Sequence, residues 1–347
     1  MKQTALAIIY LGFVVAAHSA IVPFDIPGAG TASGQGTFPV LINNAGTVAG
    51  FYTDASGINH GFTRASSGAV TTFDVPRAGT ANGQGTIPFS INDAGQITGY
   101  CVDAQFRYHG FVRSASGAVI EFDAPGDLEG TFAVSINSSG AVAGYYLDGN
   151  AGRHGFIRAV DGATVEFDAP GAGMAVGQGT LPYWINGAGA VTGEFYDANG
   201  AFHAFVRAAD GLITAFDAPA GGSGFNQGTN PNSINAEGVI AGYVIDANNV
   251  SHSFIRSAAG VITQYDVPGA SGTAGGVVNN AGIVAGVYAD SQNVDQGFVR
   301  AVDGAITTFG VLAGVEGTFT SNINNEGVLV GSYIDGNGAW HGFLRTP

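Results

Sequence analysis

The sequence predicts an all-β fold, a seven-bladed β-propeller of four-stranded antiparallel blades, from three observations. A His-Gly-Phe-x-Arg segment recurs at His60, His109, His154, His203, His252, Gln296 and His341, 44 to 49 residues apart, and such a period marks a repeat architecture. Between the copies lie short runs rich in Val, Ile, Thr, Tyr and Phe, bounded by Gly, Asn, Asp and Ser, which is the pattern of strands and tight turns. The 57 glycines and the lack of any sustained 3.6-residue apolar period exclude helix almost everywhere.

The first twenty residues stand apart. Met1-Lys2 is a short positive start, Thr4 to Ala17 is apolar, and Ala17-His18-Ser19-Ala20 offers small residues for cleavage between Ser19 and Ile21. This reads as a secretory signal peptide over 1–20, since the apolar run is shorter than the ~20 residues of a membrane span. A single domain over 21–347 follows, secreted or periplasmic, with no integral membrane association after cleavage.

The second copy shows one unit in full. Ile91 leads into the hairpin Asn92-Asp93-Ala94-Gly95, a second run extends to Asp103, and the third begins at His109 and ends at Arg113. A fourth run closes at Phe122-Asp123-Ala124-Pro125. The same N-x-x-G turn recurs from Asn43–Gly46 to Asn324–Gly327, with Gly supplying positive φ and Asn bonding its own backbone. A second turn follows Asp54, Asp103, Asp148, Asp197, Asp246, Asp290 and Asp335. Four antiparallel runs per unit, apolar on both faces, suit blades that stack on their neighbours.

The ends support a closed ring. The fourth-run signature Phe-Asp-x-Pro appears first at Phe24, before any complete unit, whereas the chain ends on a third run at His341–Arg345. The N-terminal strand should therefore complete the last blade and leave no free edge there. The alternative is an open β-solenoid, which would not need this split unit. An outer-membrane barrel requires strands of about 9–11 residues, longer than these runs.

The combination Ile-Asn-x-x-Gly-x-Val-x-Gly, an Asp turn, and His-Gly-Phe or His203-Ala204-Phe205 resembles the HAF repeats of predicted bacterial extracellular proteins. The resemblance covers essentially the whole chain after residue 20. It implies export and a repeat fold, but no activity and no catalytic residues.

Charge and cysteine usage narrow the partners. The formal net charge is −15, and loss of Lys2, the only lysine, would make the mature chain more acidic. That disfavours nucleic acid and other polyanions. The lone Cys101 forms no internal disulfide, and it stands where other units have Tyr52, Tyr146 or Phe195, so a core position is expected.

Recurring polar residues read first as structure. A residue present in nearly every unit serves what every unit needs, so His60, His109, His154, His203, His252 and His341 are assigned to hydrogen bonds with the Asp turns or the backbone. The motif arginines, Arg64 to Arg345, read as solvated or locally paired. Asp197-Ala198-Asn199-Gly200 and Asp335-Gly336-Asn337-Gly338 resemble the start of a calcium loop, but the twelfth positions are Ala208 and Thr346 instead of an acid. No metal and no cofactor are expected.

Ligand contacts are sought on the acidic, Gly-rich face of long loops, where Gln35, Gln84, Gln178 and Gln227 offer amides. They are sought also where units disagree. In the fourth, Trp184 replaces a small residue such as Ser90, and Glu194 replaces an aromatic such as Tyr100. Trp184 could provide an aromatic platform near the channel mouth.

The expectation is a secreted, monomeric, non-enzymatic binding or scaffold module for a neutral glycan or a protein partner. One alternative is a propeller-type polysaccharide hydrolase or lyase, for which Glu194, Asp127 and Glu129 are the acids outside the repeat pattern. Another is a self-assembling surface structural protein.

Overall fold

In the computed structural model the described residues are 19–311 and 316–347, so the signal segment up to His18 lies outside them. They form twenty-eight strands and no helix. Each repeat is a meander. In the first, Gly36–Ile42, Val48–Thr53, Asn59–Arg64 and Val70–Phe73 pair in succession, all antiparallel, and are termed first to fourth strands. The same ladder recurs at each later copy, for example Gly85–Ile91, Ile97–Val102, Tyr108–Arg113 and Val119–Phe122.

The last copy, ending in Trp340–Arg345, takes its fourth strand from the opposite end of the chain. Ile21 pairs with Arg345 and Phe24 with Gly342. A ring of asparagines closes around the axis in parallel with this: the Asn43 amide donates to the Asn92 carbonyl, and so on through Asn137, Asn186, Asn235, Asn279 and Asn324 back to Asn43. The chain is a closed, propeller-like ring.

Packing explains the motif letter by letter. Phe62, Phe111, Phe156, Phe205, Phe254, Phe298 and Phe343 are all 0% exposed and form the core between repeats. The preceding Gly leaves room for the fourth-strand aromatic: a Cβ on Gly61 would lie 2.8 Å from the Phe73 ring. That ring meets the next repeat twice, edge-on to Phe111 at 6.4 Å and beneath the Arg113 guanidinium at 4.4 Å. All seven motif arginines cap the preceding aromatic in this way, from Arg64 over Phe24 to Arg345 over Phe309. The expectation of solvated or locally paired arginines is thus corrected: each ties neighbouring repeats together by burying its stem and sharing its charge with a ring.

One further device shapes the axis. Every first strand carries a β-bulge, as between Pro39 and Leu41 or Pro182 and Trp184. Pro39, Pro88, Pro182 and Pro231 sit beside it, where a missing N–H costs least. The residues skipped by the ladder include Val40, Phe89, Val134, Tyr183, Asn232 and Ser321, and these line the axial channel.

Candidate functional site

The recurring histidines lie between two carboxylates each. His154 Nδ1 is 3.0 Å from Asp168 and its Nε2 is 3.6 Å from Asp148; His341 bridges Asp25 and Asp335 in the same manner. The other four repeat this, with Asp74, Asp123, Asp217 and Asp266 as the Nδ1 partners. Burial opposes the charged form of His154, yet the hydrogen bond and charge of Asp168, with those of Asp148, raise its pKa above the usual value. His341 is raised against the same opposition by Asp25 and Asp335. For His252 the hydrogen bond it donates to Asp266 is the largest influence, and its pKa is likewise raised.

The Asp turns are spent internally. Asp197 Oδ1 accepts the amides of Asn199 and Ala201, while Oδ2 accepts the Asn199 side chain and faces His203. Asp54, Asp103, Asp148, Asp246 and Asp335 follow the same plan with His60, His109, His154, His252 and His341. In the remaining repeat Asp290 caps its turn through Gln292 and Val294. Among the described residues no group of three His, Cys, Asp or Glu side chains could hold a metal ion.

The loop glutamines make hydrogen bonds within the protein. Gln35 accepts the Ala32 amide and donates to the Ala55 carbonyl; Gln178 does the same with Ala175 and Ala198. Gln84 is 3% exposed and accepts from Ala81, and Gln227 joins Gly224 to Ala247 and Asn249. Each amide closes its own loop, and three of them also bind the turn of the next repeat.

The fourth repeat carries an asymmetric constellation at the axis. Trp184 is partly buried and packs against core clusters containing Leu41, Val277 and Ile234. It stands at the axis between two hollows and lines both. On one side lies a vestibule lined by the asparagine ring. On the other is a cavity of about 280 Å³, walled by Val40, Phe89 and Val134 on the apolar side and by Tyr183, Asn230 and Asn232 on the polar side.

Glu194 sits one hydrogen bond behind this wall and is 2% exposed. Tyr183 donates its hydroxyl to Oε1 at 2.6 Å, and the Asn230 amide donates to Oε2. Burial raises the carboxyl pKa, and the hydrogen bonds from Tyr183, Tyr196 and Asn230 and the charge of Arg153 only partly offset it. Burial and the neighbouring Glu194 charge also push the Tyr183 phenol well up. The Tyr183 phenol, on the cavity wall, thus keeps its proton and hands it as a hydrogen bond to the carboxylate behind it.

The other acids do not join it. Asp127 caps its own loop through Gly130 and Thr131, and Glu129 precedes that strand in the third repeat. Residue patterns alone missed Tyr183 and Asn230, because their partnership with Glu194 spans a bulge and a repeat boundary. The available signal was that Tyr183 and Asn230 stand where other repeats carry Val40 and Phe38.

No protein-family model and no curated protein matches the chain. Solved structures do. A streptogramin B lyase matches at a TM-score of 0.61 and 15% identity, covering 94% of this chain and 97% of that one. Virginiamycin B lyase from Staphylococcus aureus, selenomethionine-substituted, matches at 0.62 and 12% over 95% and 100%. A catalytically inactive variant of that lyase with quinupristin matches at 0.60. At these identities the likeness establishes the β-propeller fold. The expectation of a non-enzymatic binding or scaffold module is corrected by it, since these matched propellers are lyases.

Proposed function

We propose that this chain is a seven-bladed propeller lyase, each copy of the motif supplying one blade, with its reaction at the axial cavity above Trp184. The observation that carries the proposal is the Tyr183–Glu194 pair: among the described residues, the one buried carboxylate outside the repeat pattern, bonded to a phenol on the cavity wall.

The chemistry favours elimination over glycoside hydrolysis. Hydrolysis by paired carboxylates needs a second acid about 5–10 Å away, and no other acid lines this cavity among the described residues. Elimination needs one acceptor and one donor. The Tyr183 oxygen takes a proton from a carbon beside a carbonyl as its own proton passes to Glu194. The C–H electron pair becomes a C=C bond, the bond to a leaving oxygen breaks, and that oxygen takes the proton back through Tyr183. Asn232, on the same wall, would stabilise the carbonyl oxygen as it gains charge.

The substrate class follows from the surroundings. A net charge of −15 disfavours polyanions, and the wall is half apolar, so a neutral ester or lactone, which has the required carbon beside a carbonyl, fits best. Export through the segment 1–20 and membership of the HAF-repeat family complete the reading. Purified residues 21–347 offered a panel of neutral esters, lactones and methyl-esterified polyuronides should release an unsaturated product. Tyr183→Phe and Glu194→Gln should each slow turnover at least ~100-fold with the fold intact; unchanged turnover in both would sink the proposal.

A further inference from the structure

A second cavity of about 310 Å³ opens on the loop face, lined by Arg153, Val176, Gln178, Tyr196, Asn199 and Phe225 among others. Its rim is apolar and unusually bare: Val176 is 76% exposed, Phe225 74%, and nearby Met174 67%. Its one cation is peculiar to this repeat. Arg153 stands where the others have Asn59, Tyr108, Phe202, Ser251, Asp295 and Trp340.

The guanidinium is held in place for binding. Its Nη1 donates to the Gly177 carbonyl at 2.6 Å, and its carbon lies 5.5 Å from the centre of the Tyr196 ring. Phe225 is seated against Gly200, where an added Cβ would lie 2.5 Å from the ring. The loop carrying Phe225 is pinned by the Asn226 amide bonding to the Gly200 carbonyl. A fixed cation thus faces an exposed aromatic ring and an isopropyl group across one small hollow.

We propose that this cavity binds a small monocarboxylate with an aromatic or branched aliphatic body, its carboxylate on Arg153 and its apolar body between Phe225 and Val176. A planar guanidinium matches a carboxylate in bidentate fashion. The acidic remainder of the surface repels polyanions at long range but costs a single charge little. This site does not depend on the lyase reading, since it lies outside the axial cavity.

The test uses the intact mature chain and 3-phenylpropanoate as probe, followed by calorimetry at low salt, with 3-phenylpropan-1-ol as its uncharged counterpart. The acid should bind saturably, one per chain. Arg153→Gln should weaken the acid about tenfold and leave the alcohol unchanged, while Phe225→Ala should weaken both. Phe225 is exposed and Arg153 half-buried, and matching melting curves would verify folding. Absence of saturable binding by the wild-type chain would overturn the proposal. So would acid binding indifferent to Arg153→Gln, or binding lost in Tyr183→Phe, which would move it to the axial channel.

Discussion

Replacing Phe24 by Ala removes an aromatic that joins the two ends of the chain. Phe24 packs beside Phe62, lies over Gly342 so closely that a Cβ there would sit 2.8 Å from its ring, and is capped by Arg64 at 4.8 Å. Full burial of a phenylalanine is worth about 3–5 kcal/mol on truncation. Phe24 is only partly buried, so about 2 kcal/mol is expected from packing, and loss of the cation–π contact adds about 0.5–1 kcal/mol. The same change at Phe122, capped by Arg158 at 4.7 Å in the middle of the chain, should cost the same. Urea unfolding followed by tryptophan fluorescence compares the two, and Arg64→Ala combined with Phe24→Ala should show coupling of about 0.5–1 kcal/mol. If Phe24→Ala costs nothing while Phe122→Ala costs the full amount, the N-terminal strand does not close the ring and the reasoning fails.

Stability should also follow pH with a definite sign. The folded pKa values of His154, His252 and His341 are raised above 6.5, so their contribution is complete below that value and is lost as pH rises through the raised one. Asp54, whose burial is outweighed by the amides of Ile58 and Ser56 and by His60, and Asp148, held chiefly by the amides of Asn150 and Gly152, are lowered from 3.8; their contribution is lost as pH falls through the lowered values. Melting temperature should therefore peak in mildly acidic buffer and decline toward both sides, and a Tm that climbs steadily to alkaline pH would contradict this. Asn186→Ala removes the amide bond to Asn235 and the acceptor for Ala188 and Ala190, and should cost about 2–3 kcal/mol in urea titration. Burial pushes the Cys101 thiol up to about 12, so a disulfide reagent should leave the native protein untouched and react fully once it is unfolded.

Much of the architecture was readable because the chain states each element repeatedly. Asn43–Gly46 and its copies announce the first hairpin, and Gly46 does take a φ of 75°. The misplaced Phe24-Asp25 signature announces the closing strand. The bulge was not readable, since period-two alternation through Pro39-Val40-Leu41 looks like an ordinary strand until its partner register is known. Partnerships across strands and between repeats were hidden for the same reason. Arg113 over Phe73, or His154 on Asp168, requires knowing which ladder brings residues 40 or 14 positions apart together. In the candidate site Glu194 and Trp184 stood out as breaks in the pattern. Tyr183 did not, because a tyrosine in a strand is unremarkable until its hydroxyl is seen to meet a buried carboxylate.

The central claim concerns bond cleavage without water at the Tyr183–Glu194 pair. Reaction of a cleaved substrate in ¹⁸O-labelled water, read by mass spectrometry, tests it directly. Elimination predicts an unsaturated product and a released alcohol or acid, neither carrying ¹⁸O, with both lost in Glu194→Gln. Label incorporated at the cleaved bond, or unsaturated product still formed at the wild-type rate by Glu194→Gln, would contradict it.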